Sequence, residues 1–139
     1  MFTHSTSLRV RYAETDQMGY VYYGNYATYY EVARVEALRH LGIRYRDLEE
    51  QGIMMPVLEL KCKYIKPARY DDALTIKLMI RQMPTLRIRF EYELYNDNDV
   101  LLNVGETTLV FVDMATQKVM PCPAEVAGAL AVYFSEPVS

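Results

Sequence analysis

Residues 25–42 read NYATYYEVARVEALRHLG. Between Tyr26 and Leu41 there is neither Gly nor Pro, Asn25 stands where an N-cap belongs, and Gly42 stands where a helix C-terminal glycine belongs. The stretch therefore predicts one long helix. Tyr26, Tyr29, Tyr30, Ala33, Ala37, Leu38 and Leu41 recur at spacings of three and four, while Glu31, Arg34 and Arg39 point elsewhere. Val32 and Val35 widen the apolar arc, so a sheet can wrap much of the helix.

On either side of the helix the period changes from 3.6 to 2. Upstream, Leu8, Val10 and Tyr12 alternate with Ser7, Arg9 and Arg11, which predicts a strand ending where Glu14, Thr15 and Asp16 begin. Downstream, a short helical turn over Tyr45 to Gln51 precedes four alternating runs: Leu58 to Tyr64, Leu74 to Arg81, Leu86 to Leu94 and Val100 to Val112. Each run is expected to form a strand of about ten residues, longer than the usual five or six. Pro67 to Asp72, Met83 to Thr85 and Asn96 to Asp99 are turn material, and short joints between long strands predict antiparallel hairpins with one apolar face. Ala124 to Phe134 reads as a small closing helix and Ser135 to Ser139 as a frayed tail. The expected fold class is α+β: a long central helix against a curved antiparallel sheet of about five strands, all in one domain over residues 1–139.

Composition narrows the chemistry. With 139 residues, 51% hydrophobic and 24% charged, the chain matches a folded globular domain. Its 15 basic and 18 acidic side chains leave a net charge of −3, which argues against nucleic acid as the main partner. No segment has the long apolar core of a signal peptide or membrane span, so a cytoplasmic protein with reduced thiols is expected. Two Cys (Cys62 and Cys122) and two His (His4 and His40) are too few for a zinc site or a disulfide framework, and no metal or organic cofactor is expected. His40 falls in the last helical turn and His4 in an N-terminal tail. Tyr is the conspicuous excess: 13 residues, against no Trp, and seven of them lie between Tyr12 and Tyr30.

The segment Tyr12 to Asn25 reads YAETDQMGYVYYGN and runs into Tyr26. It resembles the signature of hotdog-fold acyl-CoA thioesterases of the 4-hydroxybenzoyl-CoA thioesterase family, in which Asp-x-x-Gly-x-Val-aromatic-x-x-Asn-Tyr leads from a strand end into the central helix. The matching positions are Asp16, Gly19, Val21, Tyr22, Asn25 and Tyr26. The likeness extends to Glu31, Arg34 and Glu36 and to Pro67 through Asp72. The resemblance implies that Asp16 is the catalytic carboxylate, as nucleophile or general base, and that a backbone N–H near Tyr23 polarises the thioester oxygen. It implies Asn25 at the same catalytic end, and Gly19, Val21, Tyr22, Gly24 and Tyr26 around an acyl-CoA substrate. A homodimer or homotetramer is also implied, with the site near the subunit boundary.

Physical chemistry points the same way. Thioester hydrolysis needs a base or nucleophile and donors for the oxygen that becomes negative in the tetrahedral state. A helix start offers unpaired N–H groups and about half a positive charge. Asp16 precedes Asn25 by nine residues, a span that can fold back to that end. Gly19 and Gly24 would let backbone approach a ligand. The ordinary role of a loop aspartate is to cap its own turn, and that of Asn25 is to cap the helix. For the coenzyme A phosphates the candidate basic residues are Lys63, Lys66, Arg69, Arg87 and Arg89, foremost Lys66 and Arg69, although alternating bases on a strand commonly form its wet face. Competing readings are an acyl-acyl carrier protein thioesterase, a hydratase or dehydratase, for which the expected His is missing near Asp16, and a non-catalytic acyl-thioester binder.

Overall fold

A computed structural model describes residues 1–135; the last four residues of the expected C-terminal tail lie outside the described residues. The elements are β1 (Phe2–Arg9), a single 3-10 turn (Tyr12–Glu14), α1 (Asn25–His40), α2 (Tyr45–Glu50), β2 (Ile53–Met54), β3 (Val57–Tyr64), β4 (Ala73–Ile80), β5 (Arg87–Tyr95), β6 (Leu101–Asp113), β7 (Lys118–Met120) and α3 (Ala124–Ala131). The main sheet is antiparallel, in the order β1-β4-β5-β6-β3, with β2 and β7 pairing the far end of β6. This is the expected α+β arrangement of five principal strands around one long helix.

The inner face of the sheet is built by period-2 alternation. Leu74, Ile76, Leu78 and Ile80 of β4 and Ile88, Phe90, Tyr92 and Leu94 of β5 are buried against Tyr26, Tyr29, Tyr30, Ala33, Ala37 and Leu38 of α1. Burying a large apolar side chain of this kind contributes about 1.5–3 kcal/mol, so this layer is the main source of stability. Gly42, at φ +83°, ends α1 as expected. α3 brings Val126 and Leu130 into the same core.

Several expectations need correction. β1 begins at Phe2, not near Leu8, and it pairs along its length with β4 from Phe2↔Ile80 to Arg9↔Ala73. His4 is therefore held in a strand, with its ring centroid 4.8 Å from that of His40. Tyr12 lies beyond the strand and is 77% exposed. β3, β4 and β5 are eight, eight and nine residues long, shorter than expected. The joint from Pro67 to Asp72 is not a hairpin: β3 pairs β6, whereas β4 pairs β1 and β5, so the chain crosses the sheet here. Alternation reports the facing of a strand but not its neighbour. The apolar arc of α1 is also narrower than its sequence suggests, because Val32 is exposed and the buried position is taken by Arg34.

Candidate active site

The crossing segment and the loop ahead of α1 meet at the start of the helix. Residues 15–21 form a tight hairpin, with Thr15 bridged to Val21 and the Asp16 amide donating to the Tyr20 carbonyl at 2.8 Å. Gly19 occupies φ +78°, which a side-chain-bearing residue adopts at a cost of about 1–2 kcal/mol. The hairpin is tied to the crossing segment by Val21 N–H to Ala68 O at 2.8 Å and by a bridge between Tyr20 and Arg69. The Ala68 amide in turn donates to the hydroxyl of Tyr26 at 3.3 Å. Backbone from three segments thus converges on one helix end.

A cleft of about 290 Å³ opens there, lined by Asp16, Met18, Tyr20, Val21, Tyr23, Tyr26, Tyr64, Ile65, Lys66 and Pro67. Asp16 is half-buried. Its Oδ1 accepts from the amides of Met18 (2.9 Å) and Tyr20 (3.2 Å), the ordinary turn-capping role of a loop aspartate. Those bonds orient the carboxylate, and Oδ2 takes no hydrogen bond among the described residues. Tyr23 is 64% exposed. Its carbonyl accepts from the Tyr64 hydroxyl (3.4 Å) and the Tyr26 amide (3.4 Å), while the Tyr23 and Gly24 amides have no acceptor among the described residues. Unpaired amides at a helix start are the donors that developing negative charge requires.

Two phenols of the cleft, Tyr26 and Tyr64, stay protonated at neutral pH. Burial raises the pKa of Tyr26, and burial together with the Cys62 thiol raises that of Tyr64 to about 12. The Tyr26 ring meets the Tyr64 ring edge to face at 5.4 Å. A carboxylate, unpaired N–H donors and an aromatic wall in one cleft can hold an acyl group, receive charge on its oxygen and supply a base or nucleophile. Among the described residues no group of three or more His, Cys, Asp or Glu gathers to hold a metal ion.

The sequence-selected residues divide into three groups. Asp16, Val21, Tyr23, Tyr26 and Lys66 line the cleft, whereas Gly19 and Gly24 shape its backbone. Asn25 is the first residue of α1 and not its cap, which is Gly24. Its side-chain Nδ2 donates instead to the Glu14 carbonyl at 2.8 Å, pinning the helix start to the end of the 3-10 turn, two residues before Asp16. Tyr22 does not line the cleft; its ring stands 4.6 Å from that of Tyr23 and leans over Gly24. Arg69 likewise lies outside the lining and stacks its guanidinium 4.9 Å from the Tyr20 ring centroid. Of the further basic candidates, Lys63 faces a different cleft and Arg89 is ion-paired with Glu106 on the outer face of the sheet. Met18, Tyr64, Ile65 and Pro67 were not selected from sequence. The signal for Tyr64, Ile65 and Pro67 is the exposed apolar end of β3, visible only once the strand is known to be an edge; Met18 belongs to the 15–21 hairpin.

Glu14 supports the loop from behind. Burial opposes its charge, but hydrogen bonds from the Arg11 backbone, the Arg11 guanidinium and the Tyr29 hydroxyl (2.9 Å) outweigh this and hold its carboxyl below the ordinary value. Deeper along α1, the Tyr30 hydroxyl donates to Asn103 Oδ1, and its ring stacks on Tyr92 at 4.2 Å. Gly105 makes room for that ring, because a Cβ there would fall 2.6 Å from its carbons.

Comparison with known proteins agrees with this architecture. The profile of the thioesterase-like superfamily matches residues 10–130. The chain is 32% identical over 118 residues to the putative acyl-CoA thioesterase YneP of Bacillus subtilis, covering 85% of this chain and 86% of that protein. It is 34% identical over 119 residues to the acyl-CoA thioester hydrolase YbgC of Escherichia coli, covering 86% and 89%. Among solved structures it is similar to a DHNA-CoA thioesterase from Staphylococcus aureus, with a TM-score of 0.84 and 36% identity over 96% of this chain and 85% of the other.

Proposed function

The chain belongs to the thioesterase-like superfamily, and from that premise we propose that it hydrolyses acyl-CoA thioesters to a free carboxylic acid and CoA. The substrate class follows the relatives named acyl-CoA thioester hydrolases. What carries the mechanism is one observation: the Asp16 carboxylate, anchored through Oδ1 only, shares an apolar-walled cleft with Tyr23, whose amide is unpaired at the helix start.

The acyl group lies against Val21, Tyr26 and Tyr64, with its carbonyl oxygen at the Tyr23 and Gly24 amides. Asp16 attacks the carbonyl carbon, or takes a proton from a water that does so. The tetrahedral oxygen gathers negative charge, which the amides and the helix dipole stabilise. Collapse of that intermediate breaks the C–S bond, and the CoA sulfur leaves as a thiolate that takes up a proton; where Asp16 is the nucleophile, a water then cleaves the acyl-aspartyl anhydride, releasing the acid and restoring the carboxylate. Asn25 acts as a positioning residue by fixing the helix start to the 3-10 turn that leads into Asp16. Lys66 on the cleft rim, with Arg69 behind it, meets the negative charge of the CoA moiety.

The active form is a dimer or a dimer of dimers. The outer edge of β3 has no partner strand among the described residues, and its Leu58, Leu60 and Tyr64 are exposed. Such an edge invites pairing. Alternation of Glu59 with Lys61 and Lys63 lets an antiparallel copy set acid beside base. Tyr64 belongs to both this edge and the cleft, so pairing places the site at the subunit boundary.

A thiol-release assay across short, medium, long and aromatic acyl-CoAs tests the reading, with Asp16→Ala as control. Release is expected with at least one class, falling by about 10²–10⁴-fold in the variant. No release from any acyl-CoA, or equal release from the variant, contradicts it. A single-chain species at micromolar concentration in analytical ultracentrifugation contradicts the dimer.

A further inference from the structure

The largest cleft along α1 is not the one beside Asp16. A second cleft, of about 560 Å³, opens between the middle of α1, α2 and the link from β2 to β3. Arg34 lines it and is only 7% exposed. Its Nη1 donates to the Tyr92 hydroxyl at 3.1 Å, while its buried Nε has no partner among the described residues. The neighbours that favour its charge, against the opposing effect of burial, are the phenols of Tyr92 and Tyr45. Among the described residues no carboxylate pairs with it. A buried guanidinium ordinarily has a counter-ion, because an uncompensated charge out of water is costly.

The other charges at the cleft do not supply one. Arg39, Arg44 and Arg46 are exposed and already paired with Glu36 (2.6 Å), Asp47 (3.4 Å) and Glu50 (3.6 Å). Glu31 and Glu49 at the rim disfavour a multiply charged anion. Arg34 is thus left with no carboxylate within ion-pair distance among the described residues and with its Nε–H without an acceptor, while Val35, Tyr45 and Met55 form apolar or aromatic walls. A planar carboxylate suits a guanidinium edge, and such walls suit an apolar body.

We propose that this cleft is a binding site for a monocarboxylate with an apolar body, its carboxylate on Arg34 and its body against Val35, Tyr45 and Met55. The acid released by thioester hydrolysis has this chemistry. Naming the enzyme's own product as the occupant rests on the hydrolase reading, whereas the carboxylate site itself does not.

Calorimetric titration of Asp16→Asn protein with octanoate, benzoate and inorganic phosphate tests the proposal, with and without a saturating non-hydrolysable thioether analogue of acyl-CoA. At least one carboxylate is expected to bind once per chain, unaffected by the analogue, with phosphate at least about tenfold weaker. Adding Arg34→Lys, which keeps the charge and loses the fork, should weaken carboxylate binding by about tenfold or more. Val35→Glu sets a like charge on the half-buried wall and should weaken binding as much, so the test survives if the Arg34 variant fails to fold. Absence of binding overturns the proposal. Displacement by the analogue, equal affinity for phosphate, or indifference to both substitutions overturns it as well. Any of these can occur while thiol release proceeds normally.

Discussion

At the start of α1, Tyr26 stands beside a cleft in which the polar groups come from a loop and face outward: one oxygen of Asp16 and the amides of Tyr23 and Gly24 have no partner among the described residues. One and two turns along the same buried stripe, Tyr30 and Arg34 meet polar groups that come from strands and face inward: Asn103 and Tyr92, the latter bonded in turn to Thr107. Both regions put tyrosines against a helix, yet only the first leaves its polar groups open to a ligand on a loop held by backbone bonds. The second spends nearly all of its groups on one another. On the proposed mechanism, the inner network is chiefly structural and the loop end chemical, with Arg34 Nε the exception on the inner side.

Substitutions at the inner end should therefore lower stability. The largest effect is expected for Gly105→Ala: its Cβ meets the Tyr30 ring, which is stacked on Tyr92 and cannot swing away, and a loss of about 3 kcal/mol should appear in urea unfolding. Tyr92→Phe comes next. It strips a partner from both Arg34 and Thr107 in the core, for a loss of about 2 kcal/mol by the same measurement. At the open end Gly19→Ala should cost only about 1 kcal/mol, yet lower kcat, because the strained hairpin aims Asp16. A stability loss at Gly19 greater than that at Gly105 would break the comparison.

The smallest effect is expected with pH. The Glu14 carboxyl is depressed in the folded chain, so its contribution is complete above the unfolded carboxylate value of about 4.3 and is lost as pH falls through the lower folded value. Melting curves from pH 6 to pH 3 should show the wild type losing this contribution while Glu14→Gln lacks it throughout. An unchanged difference between the two proteins across that range removes the assignment.

How much of this was legible in the sequence differs between the two regions. The helix could be read from its spacing and its Gly42 terminator, and the loop from a compact motif whose residues are neighbours in the chain. Asn25 was read as a cap because its type fits one, but its true acceptor, the Glu14 carbonyl, depends on the path of the loop. Arg34 reads as pointing away from the apolar arc; its burial rests on Tyr92, which lies 58 residues away. The exposure of Leu58 and Leu60 was equally hidden, since alternation tells which way a side chain faces and not whether a helix covers it. Local chemistry was therefore visible, and chemistry assembled from distant strands was not.

The central claim is that Asp16 performs the chemistry while the fold stands without its charge. Single-turnover thiol release by Asp16→Asn, on protein whose melting temperature and far-ultraviolet dichroism are recorded on the same preparation, tests it most directly. The account predicts a rate about 10²–10⁴-fold below wild type with melting nearly unchanged. A folded Asp16→Asn protein that releases thiol at the wild-type rate would contradict it.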